Sequence, residues 1–382
     1  MGVTGEVIWR TPPLTTPRPE DMGRPELLME REAVRLFVDR ARLSQPGLEL
    51  QVPNAAAIAQ ICNRLEGIPL AIELAAGLAG VMSLEEILGR LRYRFKLLTG
   101  GNRGSAPRHQ TLRQAVDWSY CLLGPHEQSV FARLGVFAGG FDLPAAEAVV
   151  DGDGVDVDDV PSIVSRLANK SLLVAEPTHP HLTRYRMLDT IRDYAVEKLD
   201  GHIDTEARQR QARYYLDWCA AATKELSSPD QIAWLNRLDE ESPNIRAALE
   251  WMLPRQPDDA LRLAASLGRY WYMRRRLAEG ADWLDHALEA TPTPSEGRAR
   301  GLLAVARLRS RAGEFDRARK DLKECIGLSR RLGLESELAR ALTLEGVASG
   351  YARDWAPALE HFTEALALLR KLGDRIGIIG SL

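Results

Sequence analysis

The chain has few of the residue patterns that mark metal centres, disulfide frameworks or membrane spans. It contains only four cysteines in 382 residues, and no two of them form a C-x-x-C pair. Isolated cysteines argue against a structural zinc site and against a disulfide-stapled secreted domain. No apolar run reaches the roughly 18 residues of a membrane-spanning helix, and the N-terminus does not resemble a signal peptide. We therefore expect a cytoplasmic protein with reduced thiols, no membrane association and no bound metal.

An excess of charge of one sign is also absent. The formal net charge of −3 gives no global attraction to nucleic acid or to an anionic membrane. Hydrophobic residues make up 45% of the chain and charged residues 27%, as in ordinary globular proteins. A chain of 382 residues is long enough for several domains with buried cores. Composition therefore indicates a multidomain globular protein and points to no particular ligand.

Turn residues, capping residues and apolar periodicity divide the chain into four parts. Residues 1–24 are rich in proline and threonine and predict an extended lead-in. Residues 25–98 predict a small all-helical domain, which a Gly-rich linker at 99–110 follows. Residues 105–200 combine three helices with two short alternating segments around the turn PTHPHL, which is the outline of a winged helix. Residues 205–382 are helical throughout.

The last part repeats itself. The segments EFDRARKDLKECI and DWAPALEHFTEAL align at an offset of 40 residues, which pairs Phe315 with Trp355. A weaker copy around Gly280 lies 38 residues earlier. A helix-pair repeat of this length predicts a solenoid of tetratricopeptide type, with Gly313 and Gly346 near helix contacts. The predicted fold class is therefore mainly α: a small helical domain, a winged helix with a short β-hairpin, and a TPR-like α-solenoid, incomplete at its C-terminus.

Five segments occur in an informative order: ICNRLEGIPLAIELAA, HQTLRQAVDWSYCLL, FARLGVFAGGFDLPAAEAV, LANKSLLV and RYRMLDTIRDYA. With them the chain resembles, from about residue 30 onward, the bacterial NB-ARC and AfsR/LuxR-type regulators of the STAND group of signal-transduction ATPases. The resemblance implies that Gly67 and Pro69 form the G-x-P element against the adenine of bound ADP. It also places Asp189 in a Met-Leu-Asp sequence where many relatives have Met-His-Asp. Leu188 stands at the histidine position and can make no hydrogen bond to a phosphate.

No phosphate-binding loop accompanies this corner. Such a loop requires G-x-x-x-x-G-K-[ST], because backbone N–H groups wrap the phosphates and the lysine holds the terminal ones. The sequence has seven lysines, and none of them follows a glycine. We therefore interpret the chain as a truncated member of the resembling group that lacks the P-loop NTPase domain. No cofactor is expected, ADP or ATP would bind only with a loop supplied elsewhere, and bare apolar surfaces at the ends should cause self-association.

The winged-helix part carries a DNA-binding hypothesis. Its candidate recognition helix, PSIVSRLANKSL, offers only Arg166, Asn169 and Lys170, whereas DNA-reading domains normally neutralise several phosphates. The acidic stretch DGDGVDVDD precedes this helix and fits a calcium-binding loop poorly, so we expect a solvated loop. The resemblance implies a spacer and nucleotide sensor, and we favour that role over DNA reading.

Two groups of residues in the repeats could also contact ligands. Arginine is frequent at 298–340, and on a solenoid it is expected to form a solvated face rather than a nucleic-acid track. The arginines concerned are Arg298, Arg300, Arg307, Arg309, Arg311, Arg317 and Arg319. Trp251, Tyr270, Trp271 and Tyr272 could stack on a ligand, but we expect them in the core.

Three functional hypotheses remain. The favoured one is a non-catalytic interaction module linked to transcription control, whose repeats bind a protein or a small inducer. The second is a DNA-binding transcription regulator, which a salt-dependent mobility shift would support. The third is an ATPase subunit completed by a separate P-loop polypeptide, which an upstream reading frame would support. No G-x-S-x-G or H-E-x-x-H signature is present, so we expect no enzymatic activity.

Overall fold

The computed structural model describes residues 12–80, 82–91, 116, 120, 123–150, 154–169, 172–179, 182–375 and 377–378. They divide between two compact units, Met1–Gly135 with Gly152–Asp200 and Val136–Asp151 with Gly201–Leu382. The elements of the described residues are helices apart from a single two-stranded hairpin. This confirms the mainly α fold class. The predicted linker at 99–110 lies outside the described residues, as do Lys170 and the start of the acidic stretch.

A small helical domain forms one part of the first unit. Its helices are α1 (Pro25–Met29), α2 (Glu32–Ser44), α3 (Val52–Arg64), α4 (Pro69–Gly77) and α5 (Leu84–Arg90). The apolar positions of these helices converge on one core, in which Phe37, Ile58 and Ile72 are fully buried. Burial of such side chains stabilises the domain by about 1.5–3 kcal/mol for each residue. This core fixes the short turn between α3 and α4, where the G-x-P element lies.

The winged-helix part follows the predicted order of elements. They are α6 (Pro125–Leu134), α7 (Leu143–Val150), α8 (Val160–Asn169), β1 (Val174–His179), β2 (Leu182–Arg186) and α9 (Asp189–Glu197). The two strands pair antiparallel, with Val174 opposite Arg186 and Ala175 opposite Tyr185. β1 continues through Pro177, so the strands extend into the predicted turn PTHPHL. A two-stranded ribbon tolerates this proline because both of its strands are edge strands.

The loop between α6 and α7 belongs to the second unit together with α7. The side chain of Asn244 is fully buried and contacts this loop twice. Its Oδ1 accepts the N–H of Gly139 at 2.9 Å, and its Nδ2 donates to the carbonyl oxygen of Gly140 at 2.8 Å. Glu241 accepts from Asn244 at 2.9 Å and from the Tyr215 hydroxyl at 2.7 Å. Because these buried polar groups satisfy one another, they specify how residues 136–150 pack in this unit.

The rest of the second unit is a solenoid of antiparallel helix pairs. Its helices are α10 (Gly201–Glu225), α11 (Gln231–Met252), α12 (Pro257–Met273), α13 (Leu277–Ala290), α14 (Glu296–Ala312), α15 (Phe315–Leu332), α16 (Glu335–Tyr351) and α17 (Trp355–Leu372). α15 and α17 begin at Phe315 and Trp355, which confirms the predicted alignment. A Cβ on Gly346 would lie 3.0 Å from the Phe362 ring, so this glycine lies at a helix contact as predicted. Gly313 does not: it ends α14 with a φ of +85° and has open space around it.

Candidate functional sites

The turn between α3 and α4 contains two of the predicted nucleotide-binding residues. Glu66 and Gly67 both adopt left-handed backbone conformations, with φ of +56° and +69°. Pro69 then takes the first position of α4, where a missing N–H leaves no helical hydrogen bond unmade. A left-handed glutamate is uncommon because its Cβ crowds the backbone, so its surroundings must stabilise it. Two contacts of this turn supply that stabilisation.

The first contact comes from the lead-in, which crosses the turn. Leu14 donates its backbone N–H to the carbonyl oxygen of Gly67 at 2.9 Å. A Cβ added to Gly67 would lie 2.1 Å from the carbonyl oxygen of Leu14, so only glycine permits this approach. Thr15 extends the contact, since it exchanges two hydrogen bonds of 3.0 Å with Glu32 at the start of α2. The chain's own backbone therefore lies on the element that the resemblance assigns to adenine.

A buried ion pair anchors the end of the lead-in. Arg31 donates to both carboxylate oxygens of Asp21, at 2.7 and 2.8 Å, and the backbone N–H of Arg18 donates at 2.8 Å. Asp21 is only 1% exposed. The hydrogen bonds from Arg31 and from Arg18 lower the pKa of Asp21 to about 2. Asp21 is therefore ionised at neutral pH and holds the lead-in to α2.

The second contact connects the turn to the winged helix. The Oε1 atom of Glu66 accepts the backbone N–H of Asp189 at 2.7 Å. Asp189 is the first residue of α9, and Leu188 before it supplies no side-chain cap. The structure thus brings the G-x-P turn and Asp189 together, through a residue that the sequence analysis did not single out. Glu66 was missed because a left-handed non-glycine residue leaves no pattern in the sequence.

The charge on Glu66 changes what this corner can bind. The N-terminus of a helix carries a partial positive charge and free N–H groups, which favour a phosphate or another anion. At α9 the Glu66 carboxylate already takes that place. A phosphate brought to the same N–H would meet a like charge, and it would have to displace a hydrogen bond of 2.7 Å.

The structure makes Arg166, a predicted DNA-contacting residue, less available for a phosphate than the sequence alone suggested. Arg166 lies on α8, and its Nε donates to Oε1 of Glu127 on α6 at 2.6 Å. The other oxygen of Glu127 accepts the N–H of Gly124 at 3.1 Å, so this carboxylate also caps α6. Asn169 ends α8, and its side chain lies outside the description, as does the whole of Lys170. The one described candidate cation of this helix is therefore held by an acidic partner.

Acidic groups stand at the start of α8. Asp156, Asp158 and Asp159 are all exposed, and Asp156 caps the short 3-10 turn Val157–Asp159 by accepting the N–H of Asp158 at 3.1 Å. These carboxylates would repel a phosphate backbone at neutral pH. The electrostatics of the described residues therefore oppose nucleic-acid binding at this end of the helix.

The described cysteines carry no reactive chemistry. Cys62, Cys219 and Cys325 are buried and unpaired with one another. Burial raises the pKa of the Cys62 thiol to about 12 and that of Cys325 to about 11. Only the thiolate is a strong nucleophile or metal ligand, and neither thiol ionises near neutral pH. These residues therefore serve as small apolar core side chains.

The described residues also lack a metal-binding cluster and a membrane-spanning helix. No three His, Cys, Asp or Glu side chains within the described ranges are grouped so that they could hold a metal ion. Among the same residues, no helix combines the length and apolar character required to cross a membrane.

Comparison with known proteins identifies the middle of the chain and its relatives. Residues 123–200 match the family model of the winged helix-turn-helix domain. An HTH-type transcriptional regulator of Mycobacterium tuberculosis (strain ATCC 25618 / H37Rv), so named provisionally, is 38% identical over 390 residues, covering 98% of this chain and 42% of the relative. An uncharacterized protein of the same strain is 36% identical over 234 residues, covering 61% of this chain and 53% of the relative. The chain thus contains a winged helix-turn-helix domain and spans less than half the length of the regulators it resembles.

A solved structure with weak likeness is a signal transduction ATPase with numerous domains, which has a tetratricopeptide repeat sensor and comes from Pyrococcus horikoshii. It shares 13% sequence identity, and the alignment covers 94% of this chain and 55% of that one. The TM-score is 0.30, which is too low to carry an argument about this chain.

Proposed function

We propose that this chain is a non-catalytic regulatory module linked to transcription control, whose helical repeats bind a protein or a small inducer. The observation that carries this proposal is the hydrogen bond from Asp189 to Glu66, which puts a carboxylate at the start of α9. In the resembling NB-ARC and AfsR/LuxR-type proteins, this corner faces a nucleotide. Here a like charge opposes the phosphate, so regulation depends on partner binding rather than on nucleotide turnover.

The same contact gives the winged helix a role within the module. Glu66 belongs to the small helical domain, and Asp189 begins the last helix of the winged-helix part. A charge-assisted hydrogen bond of this kind stabilises by about 1.5–3 kcal/mol when it is shielded from water. The winged helix therefore acts as a connector that holds the small helical domain in a defined position.

Nucleotide assays on the purified chain test the proposal. ATP turnover should not rise above background, because the sequence contains no G-x-x-x-x-G-K-[ST] loop to hold the phosphates and magnesium. Calorimetry should show no micromolar affinity for ADP, and ATP or ADP would bind only with a P-loop supplied by another polypeptide. Turnover that survives repurification and disappears in Pro69→Ala would overturn the proposal. Glu66→Gln serves as a comparison, since it removes the charge and keeps an acceptor oxygen.

DNA binding through the winged helix is a second candidate, favoured by the match of residues 123–200 to a winged helix-turn-helix domain. The named function of the mycobacterial relative points the same way. A mobility-shift titration with duplex DNA at 50 and 200 mM salt tests it. Binding that weakens by about tenfold or more over this range would show that phosphates are neutralised. No shift at 50 mM salt would leave the interaction module as the better function.

A further inference from the structure

One pocket of the second unit combines positive charge with exposed aromatic rings. It has a volume of about 820 Å³ and lies where the C-terminal ends of α12, α14 and α16 meet. Its charged and aromatic lining consists of Arg269, Tyr272, Arg307, Arg311, Phe315 and Tyr351. No acidic side chain lines it among the residues that the structure describes. The described lining of the pocket therefore carries positive charge that no acidic lining side chain neutralises.

Arg307 is the centre of this charge. Six of the eight arginines at 298–330 have acidic partners, namely Arg298, Arg300, Arg309, Arg317, Arg319 and Arg330. Within the described part of the chain, neither Arg307 nor Arg311 forms an ion pair, and Arg269 donates to the Ser227 hydroxyl at 2.6 Å. Burial, with repulsion from Arg340 and Arg269, lowers the pKa of Arg307. A partly buried cation without a counter-charge is unfavourable, and a bound anion would relieve it.

Aromatic side chains form the second part of the pocket. The rings of Phe315 and Tyr351 lie 5.8 Å apart, and Tyr351 is 75% exposed. The guanidinium of Arg311 lies 5.8 Å from the Tyr272 ring, which is also exposed. Exposed rings of this kind cluster where an apolar ligand packs. Of the four aromatic residues expected in the core, Trp251, Tyr270 and Trp271 are buried, and Tyr272 instead reaches this pocket.

We propose that this pocket binds a small organic anion, a carboxylate or phosphate group attached to an aromatic body. The anionic group would contact Arg307, with Arg269 and Arg311 beside it, and the ring would pack on Phe315 and Tyr351. The volume lies within the range of about 300–1,000 Å³ that is usual for small-molecule sites. An extended acidic peptide fits less well, because six of the eight arginines at 298–330 already have acidic partners, whereas Arg307 and Arg311 of the same stretch meet Arg269 in this pocket. The proposal rests on the regulatory function above only in treating the ligand as a signal.

Calorimetric titration of the full chain with phenyl phosphate and benzoate tests the site. Benzyl alcohol and inorganic phosphate are the comparison ligands, because each carries only half of the proposed chemistry. We expect at least one aromatic anion to bind tenfold or more tightly than either comparison ligand. No binding of either anion, or equal binding of benzyl alcohol, would overturn the proposal.

Substitutions then locate the binding. Arg307→Met should weaken the aromatic anion at least tenfold, whereas Arg330→Met, which removes an equal charge paired with Glu364, should leave it unchanged. Tyr351→Ala, at a largely exposed position, should weaken the aromatic anion and not inorganic phosphate. If Arg307→Met does not fold, Arg307→Lys and Tyr351→Ala decide the question.

An acidic peptide tests the competing ligand. A tyrosine-containing hexaglutamate that binds more tightly than the small anions, and loses affinity in Arg307→Met, would overturn the small-ligand assignment. The readout is binding to the repeats, so this experiment can fail while the nucleotide assays still support a regulatory module, and the reverse also holds.

Discussion

The turn at Glu66 and Gly67 and the pocket around Arg307 differ in what fills them. At the turn, the chain's own groups take every contact described above: the Leu14 backbone lies on Gly67, and Glu66 accepts the N–H of Asp189. In the pocket, the Arg307 guanidinium has no acidic partner among the described residues, and aromatic rings beside it are exposed. A recognisable motif marks the filled site, whereas no motif marks the open one. Sequence resemblance thus points to where a ligand binds in relatives, and unpaired charge points to where one can bind here.

The largest expected effect comes from two arginines on one helix. Arg309 is only 7% exposed at its side chain and pairs with both Asp285 and Asp321, whereas Arg307 two residues earlier pairs with neither. Arg309→Met leaves Asp321 without its cation and Asp285 with only the longer contact to Arg317 at 3.8 Å, and should cost about 3 kcal/mol of unfolding free energy. Thermal unfolding should show a midpoint for the second unit lower by about 6–12 °C. Arg307→Met removes an unfavourable charge and should leave the midpoint unchanged or higher; an equal loss in both variants would mean that Arg307 has a structural role.

The next effect tests whether the turn is filled as described. Gly67→Ala combines a left-handed backbone with a Cβ 2.1 Å from the Leu14 carbonyl oxygen, and should cost about 2–3 kcal/mol. Gly23→Ala is the matched control, since Gly23 has a φ of +80° and open space, and only about 1 kcal/mol is expected. Hydrogen exchange at the Leu14 amide separates the two, because that amide should lose protection only in Gly67→Ala. Similar losses in both variants would show that the lead-in does not cross the turn.

A smaller effect concerns the anchor of the lead-in at acid pH. The folded-state pKa of Asp21 is about 2, which is below the roughly 3.9 of an unfolded chain. The contribution of Asp21 to stability is therefore present above pH 4 and is lost as the pH falls through 2. Unfolding midpoints from pH 5 to pH 2 should fall less steeply in Asp21→Asn than in the original chain. Glu335→Gln, at an exposed pair with Lys371, is the control and should leave the slope unchanged; equal slopes for the original chain and Asp21→Asn would contradict the assignment.

The sequence predicted the repeats and the winged-helix outline because both depend on local patterns. Phe315 and Trp355, which the sequence aligned at an offset of 40 residues, are each the first residue of a helix. They correspond because each repeat buries the same positions against its neighbours. The predicted hairpin turn is too long, because proline usually breaks a strand and Pro177 was therefore assigned to the turn. In the structure Pro177 lies within β1, since a two-stranded ribbon tolerates proline. Local patterns therefore predicted the elements well and the exact strand ends less well.

The contacts that define the sites could not be predicted from local patterns. Glu66 reaches Asp189 across 123 positions of sequence, and nothing in either segment marks the partner. Arg307 and Arg309 stand two residues apart in the same arginine-rich stretch and have opposite surroundings. Which arginine is paired depends on the acidic residues that neighbouring helices present, and that is a property of tertiary packing.

The smallest effect on stability is expected for a substitution of Arg166. The same substitution distinguishes the connector role of the winged helix from DNA binding. The Arg166 side chain is 50% exposed and pairs with Glu127, so Arg166→Gln should lower the unfolding free energy by about 0.5 kcal/mol. The control is Arg186→Gln in the wing, whose guanidinium is similarly exposed, although its partner Glu176 is more exposed than Glu127. If Glu127 holds the guanidinium, any binding to duplex DNA should keep its salt dependence in both variants. If Arg166 instead contacts a phosphate, Arg166→Gln should reduce the slope of log affinity against log salt by about 1, and the control would show whether that reduction is specific to the recognition helix.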